Sequence, residues 1–252
     1  MSTVVAVILI LSLLIVYSVD WIAEQIPYSV EQSMVKQLDE KFSSRNEVDD
    51  YLQSIANQLK PVMGLADDVQ IKVHYINENT VNAMTSLGGH IFVYRGLLKK
   101  LHSENAIVML LGHEMAHVKY RHALKGLGKG IILSAVFSLI LGQAADVSAD
   151  LVNGTGQITL LKFSRDQEQA CDELALASVE KIYGHVAGSD DLFLSLQTHA
   201  NAQAEFLSSH PNIQNRLDNL QQLAARQKWS KQGKLKVIPE NIRNKIADFR
   251  SR

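Results

Sequence analysis

Apolar positions follow three different rhythms along this chain. From Val4 to Val19 they are almost continuous, VVAVILILSLLIVYSV, with no charge until Asp20. Those sixteen residues reach about 24 Å as a helix, slightly short of a hydrocarbon core, and Thr3 and the Trp21-Ile22 pair extend the run. Tyr17 and Trp21 fall where aromatic side chains favour a membrane interface. A cleaved signal peptide is the competing reading. Against it stand a long apolar core, no Lys or Arg in the first residues and no A-x-A site near the end. Residues 1–22 are therefore expected to be a single-pass membrane anchor.

The second rhythm is helical. Residues 20–45 form a polar connecting helix interrupted at Pro27, with 23–45 serving as the link to a compact domain that begins at Asn46. Val48, Tyr51, Leu52, Ile55 and Leu59 then recur at helical spacing, predicting an amphipathic helix that stops at Pro61. The third rhythm is alternation: Val69, Ile71, Val73 and Tyr75 in DVQIKVHYIN predict a half-buried strand. In SLGGHIFVYRGLL, Gly88-Gly89 supplies a turn and His90 to Tyr94 a second strand. Everything downstream reads mostly as helix, so the fold class is α+β, mainly helical, with a small β-sheet. The domain is expected over 46–227, followed by a tail over 228–252. GIILSAVFSLILG, Gly130 to Gly142, is too short to span a bilayer and reads by default as a buried or hairpin helix; a membrane-dipping segment is the alternative.

Composition changes this picture in one place. The 252 residues carry a formal net charge of -1, so no global field selects nucleic acid, and the single Cys171 excludes an internal disulfide. From Arg226 to Arg252, however, nine Lys or Arg stand against Glu240 and Asp248. Ile242, Ile246 and Phe249 recur at helical spacing there. A basic amphipathic helix results, packed on its own domain or laid on a membrane surface.

The candidate chemistry lies in LLGHEMAHVKYRH. Ser103-Glu104 starts a helix on which His113 and His117 project from one face and can bind one Zn²⁺. Glu114 sits about 100° around, off the metal but beside a water that zinc would acidify toward pKa about 7, so it can act as general base for attack on a carbonyl. Two histidines do not hold a catalytic zinc, and a third ligand is required. The spacing HExxHxxGxxH fails, since Tyr120 and Ala123 occupy its Gly and His positions. His122 lies about 140° from His117 on an ideal helix and reads as a surface or second-layer histidine. An acid about twenty residues on is also missing, where Val136-Phe137-Ser138 stands. In FSRDQEQACDELALA, Glu168 and Asp172 share a helical face: one carboxylate can complete a His₂Glu site and the other can orient a ligand histidine. A solvated face with an Arg165–Glu168 pair is the alternative. His74 in a strand and His90 at a turn read as structural or exposed rather than as ligands.

The ordered set NAM (Asn82 to Met84) with GGHIFVYRGLL, LLGHEMAH, SRDQEQACD and HPNIQNR (His210 to Arg216) resembles the zinc metallopeptidase family of HtpX, the Ste-type CAAX prenyl protease and BepA. The resemblance implies a zincin-like domain whose zinc ligands are His113, His117 and Glu168, with Glu114 as general base. It makes Asp172 an outer acid, places His210 toward the substrate or the transition-state oxyanion, and gives Arg216 the role of arginine accompanying that histidine. The strand Ile91, Phe92, Val93, Tyr94 would be the edge that pairs with a substrate backbone. Cys171 replaces the family's usual Ala and Met84 its usual Phe, both packing changes. The several transmembrane helices of HtpX and the prenyl proteases have no counterpart here, which points to a single-anchor branch.

These features predict a membrane-anchored zinc endopeptidase of protein quality control, with one Zn²⁺ per chain and with its catalytic domain on the extracytoplasmic, periplasmic side. Its partners would be unfolded or membrane and envelope polypeptides, and the lipid bilayer. Two alternatives remain open: a non-catalytic, chaperone-like binding module on the same fold, and a latent protease whose tail or Gly130–Gly142 segment covers the cleft.

Overall fold

The computed structural model describes residues 18–130, 163–197 and 213–248, with Leu14, Phe206 and His210 besides. Most of the 1–17 run, the 131–142 part of the Gly130–Gly142 segment and Phe249 lie outside the described residues. In chain order come α1 (Tyr28–Met34), α2 (Lys36–Lys41), α3 (Glu47–Val62), β1 (Lys72–Ile76), β2 (Ala83–Thr85), β3 (His90–Tyr94), α4 (Arg95–Leu98), α5 (Glu104–Lys119), α6 (Arg165–Tyr183), α7 (Asp191–Gln197), α8 (Ile213–Gln227) and α9 (Glu240–Ala247). Residues 18–25 and 122–130 are also helical. The domain is mainly helical with one small mixed sheet, in strand order β1-β3-β2.

Asn46 starts α3 through a capping box: its side chain accepts from Val48 N and Asp49 N, and Asp49 reaches back to the Asn46 N–H. Val48, Leu52, Ile55, Ala56 and Leu59 turn into the core as their spacing predicts. The helix continues past Pro61 to Val62. A proline in the last turn deletes only one helical bond, and Gly64 at φ 61 makes the actual stop. β1 begins at Lys72 rather than at Val69, because Val69 N closes a turn onto Ala66 O at 3.1 Å.

β3 lies in the middle of the sheet, parallel to β1 and antiparallel to β2. The expectation that Ile91, Phe92, Val93 and Tyr94 form a substrate-accepting edge is therefore overturned, since the β3 backbone is paired on both sides. The outer side of β1 is occupied too: Val73 N donates to Gln53 Oε1 at 3.0 Å and Tyr75 N to Asp49 Oδ1 at 2.6 Å, both acceptors standing on α3. Among the described strands this leaves β2 with the open edge. The turn into β3 needs its glycines. Gly88 and Gly89 have φ of 65° and 79°, and a Cβ on Gly89 would sit 1.9 Å from Gln70 O.

The segment ahead of Asn46 is docked rather than merely connecting. It breaks at Pro27 as predicted, then lays Val35, Leu38 and Phe42 over Phe92 on the sheet. Beneath Phe42, His74 and His90 stack and share a 2.9 Å hydrogen bond. Both are buried, and burial pushes each down to about 4, so they are structural neutral rings.

The tail returns to the same core. Lys236 O accepts from Glu104 N at 2.8 Å and Lys236 N donates to Asn105 Oδ1 at 2.9 Å, satisfying a donor at the start of α5. Ile238, Ile242 and Ile246 are buried. The described tail thus sits at the N-terminal end of α5, about 12 Å along the helix from His113, and does not cover the cleft. Each of these isoleucines contributes about 1.5–3 kcal/mol by burial. A chain truncated after Gln227 should melt well below the full chain or fail to fold. An unchanged melting temperature with raised peptide cleavage would restore the gating tail.

Candidate metal centre

Ser103 caps α5 by accepting from Ala106 N, and every residue from Glu104 to Val118 is buried. Such a helix has no solvated face, so its polar residues must meet partners inside the protein. α6, capped by a Ser164–Gln167 box, supplies them. The two helices approach at Gly112, where a Cβ would stand 3.2 Å from Ala175 Cα. One residue after Gly112 comes His113, and one turn before Ala175 comes Asp172. The contact therefore aligns the two polar stretches.

His113 Nε2 and His117 Nε2 are 3.1 Å apart. Glu168 places Oε2 3.5 Å from the first and Oε1 3.4 Å from the second. Ligands about 2.0–2.1 Å from a tetrahedral ion lie about 3.3 Å from one another, and the two imidazoles and the carboxylate, whose two oxygens each face one ring, are spaced near that value. The chemistry of the donors fits as well: two imidazoles and a carboxylate, all buried. A fourth donor joins them. His210 Nδ1 is 3.0 Å from Glu168 Oε1 and 3.3 Å from His113 Nε2, and the four residues form one cluster of potential ligands. His210 thus stands among the ligand positions rather than apart from them.

Around this cluster the polar groups are interlocked. Asp172 Oδ1 is 2.9 Å from His113 Nδ1, the arrangement that turns the ring's other nitrogen to a metal. Arg216 holds Asp172 from Nε to Oδ2 at 2.7 Å and from Nη2 to Oδ1 at 2.8 Å, while its Nη1 pairs with Glu168 Oε2 at 2.6 Å. The arginine expected to accompany His210 is therefore the cation between two buried carboxylates. Glu168 faces inward and 1% exposed, which removes the reading of a solvated helix face.

Burial works against ionising Glu168, yet His210, Arg216 and His113 outweigh it and hold the carboxyl well below the usual range. Asp172 is likewise lowered, Arg216 overcoming burial. Burial lowers His113 and pushes His117 down to about 4. Neutral imidazoles beside ionised carboxylates are the protonation states that bind a metal. His210 moves the other way: Glu168 and Glu114 overcome its burial and raise it.

Glu114 projects toward the sheet. Thr85 Oγ1, on β2, lies 2.8 Å from both Glu114 Oε2 and Glu114 O. Glu114 Oε1 is buried with no hydrogen-bond partner among the described residues, and His210 Nε2 is 3.6 Å away. The structure thus brings together His113, Glu114, His117, Glu168, Asp172, His210 and Arg216, and leaves Ile91 to Tyr94 in the centre of the sheet.

Two further residues belong to the same neighbourhood, Thr85 and His122, the latter buried behind His117 as the second-layer alternative had it rather than at the surface. Thr85 immediately follows the NAM element, which was the available signal. His122, placed 140° away by an ideal helix, has its Nδ1 2.9 Å from His117 Nδ1. The extrapolation fails because α5 ends at Lys119 and Arg121 adopts φ 58. Cys171 Sγ is 3.7 Å from His122 Nδ1 and fully buried, in keeping with a packing role.

Comparison with known sequences gives one family. Residues 46–224 match the profile of Peptidase family M48. The mitochondrial metalloendopeptidase OMA1 of Arabidopsis thaliana is 30% identical over 148 residues, 58% of this chain and 30% of that protein. The mitochondrial metalloendopeptidase OMA1 of Schizosaccharomyces pombe is 26% identical over 68% of this chain and 52% of its own length. A putative beta-barrel assembly-enhancing protease of Vibrio cholerae is 23% identical over 70% of this chain and 39% of its own length. The chain spans about a third to a half of the length of these curated relatives.

Proposed function

The chain belongs to peptidase family M48, and on that premise we propose that it is a zinc endopeptidase in which His113, His117 and Glu168 hold the metal and Glu114 is the general base. The observation that carries this reading is the buried donor cluster: two imidazole Nε2 atoms 3.1 Å apart, each with one oxygen of the Glu168 carboxylate 3.4–3.5 Å away. A zinc ion there would supply Lewis acidity, polarising the scissile carbonyl and acidifying water.

The chain's own groups account for the remaining steps. Asp172 and Arg216 fix His113 in the tautomer that offers Nε2. Thr85 holds Glu114 Oε2, which leaves Oε1 to accept the water proton and to pass it to the leaving amine. A polypeptide can add along β2, the open edge. Tyr94 N donates to Asn82 O and Ser86 N to His90 O, so Ala83 and Thr85 turn their backbone groups away from β3, and Ala83 N is held by Asn82 Oδ1 at 2.9 Å, which an incoming strand would displace. Such strand addition reads main chain rather than side chains, which suits unfolded membrane or envelope proteins as substrates in quality control.

The place of His210 favours a second reading of the same site. With His210 Nδ1 as a fourth potential donor, the position that a catalytic zinc keeps open would be taken by the protein. In this reading the structure depicts a resting form, and substrate entry requires His210 to leave. The latent protease would then be held by His210 rather than by the tail.

A membrane anchor is supported from the described side of the boundary. Helices 18–25 and 122–130 run antiparallel, tied by Lys129–Asp20 at 2.8 Å and Lys125–Glu24 at 3.0 Å. They therefore leave the domain at the same end, and in the sequence each adjoins an apolar run, 4–19 and 131–142. No helix among the described residues is long and apolar enough to cross a membrane.

Purified, zinc-loaded Glu114→Gln should cleave an unfolded protein such as casein at least about 10²-fold more slowly than wild type, with zinc content unchanged. Full cleavage by that variant would contradict the assignment of the base. In cell membranes the full chain should resist alkaline carbonate extraction, and a chain lacking residues 1–17 should be released. Release of the full chain would contradict the anchor.

A further inference from the structure

One ligand histidine has its orienting carboxylate, Asp172 on His113; among the described residues no carboxylate stands on His117 Nδ1. What stands there is His122 Nδ1 at 2.9 Å. Both rings are buried, His117 at 0% and His122 at 6% exposure. With His117 Nε2 turned to Glu168 and His113, its Nδ1 carries the proton, and a neutral His122 presents a lone pair to receive it.

The backbone is bent to make this contact. On a continuous helix, residues five apart lie about 140° from each other and cannot meet. Here α5 stops at Lys119, Arg121 takes the left-handed conformation at φ 58, and a new helix starts at His122. A non-glycine residue held in that region is strained and needs support from its surroundings. Arg121 has it: Nε donates to Glu31 Oε1 at 2.7 Å and Nη1 to Ala23 O at 2.7 Å and also to Ile26 O. Phe163 closes the other side, its ring centroid 4.0 Å from that of His117.

We propose that His122 is a positioning residue of the metal centre, accepting the N–H of His117 Nδ1 so that His117 Nε2 is held toward the ion. The proposal rests on the reading of His113, His117 and Glu168 as the metal ligands. It makes the turn at Arg121, and with it Glu31 ahead of the family-matched region, part of what orients the site. The cluster His117, His122 and Cys171 is also close enough to be read as a second set of ligands. The 2.9 Å between the two Nδ1 atoms is a hydrogen-bond distance and shorter than the spacing of about 3.3 Å between ligands on one tetrahedral ion, which favours the hydrogen bond.

The test measures zinc affinity of the full chain by competition with a chromogenic chelator, independently of any cleavage. His122→Phe should bind zinc about 10–100-fold more weakly. His122→Asn, whose side-chain oxygen can replace the Nδ1 lone pair, should recover most of that loss, and Cys171→Ala should bind as wild type. His113→Ala should abolish tight binding, and retention there would sink the ligand assignment itself rather than the role of His122. In parallel, ¹⁵N-labelled, zinc-loaded Glu114→Gln protein should show scalar coupling between His117 Nδ1 and His122 Nδ1 across the hydrogen bond. That measurement does not depend on whether His122→Phe folds. Wild-type affinity in His122→Phe, absence of the coupling, or weakened binding in Cys171→Ala would each overturn the proposal.

Discussion

Gly112 of α5 meets Ala175 of α6 so closely that an added Cβ would stand 3.2 Å from the Ala175 Cα, and the geometry of the centre follows from that contact. The rise of 1.5 Å per residue converts the contact into a register. Residues just after Gly112 on one helix face residues about one and two turns before Ala175 on the other. His113 and His117 are thereby set against Asp172 and Glu168. A side chain at Gly112 would press on Ala175 and push the helices apart by a few tenths of an ångström, directly beside donors spaced 3.1 to 3.5 Å.

Such packing buries charge, and buried charge must be balanced. Two carboxylates inside the domain would be prohibitive alone, because desolvation opposes each of them. Arg216 binds both, forked onto Asp172 and paired with Glu168, and rests its guanidinium 5.1 Å from the Phe193 ring centre. It is thus the reason an ionised His₂Glu set can exist in an apolar core without depending on solvent. Glu114 has a different arrangement: one oxygen is held by Thr85 and the other has no described partner, which suits a group that exchanges a proton rather than one that only holds an ion.

The sequence was most legible where periodicity and chemistry coincide. HEMAH on a helix, the shared face of Glu168 and Asp172 and the amphipathic pattern from Val48 to Leu59 are local, and local rules place them. The order β1-β3-β2 is not local. Nothing in HIFVY distinguishes a central from an edge strand, and the three-residue β2 is too short to show alternation, so the open edge was assigned to the wrong strand. The sequence leaves His122 between surface and second layer for a related reason: an ideal helix points it away from His117, but Arg121 interrupts the helix, held there by residues about ninety positions earlier in the chain. His210 and Arg216 were reached through resemblance, since no spacing rule predicts that residues on α8 and just before it close onto α5 and α6.

The central proposal is that one zinc ion is held between His113, His117 and Glu168 and that Cys171 takes no part. Extended X-ray absorption fine structure at the zinc edge of the purified full chain tests this most directly. The proposed site predicts one zinc per chain with a first shell of nitrogen and oxygen only, at about 2.0–2.1 Å, and outer-shell scattering from at least two imidazoles. A sulfur shell near about 2.3 Å, or a protein that retains no zinc, would contradict it.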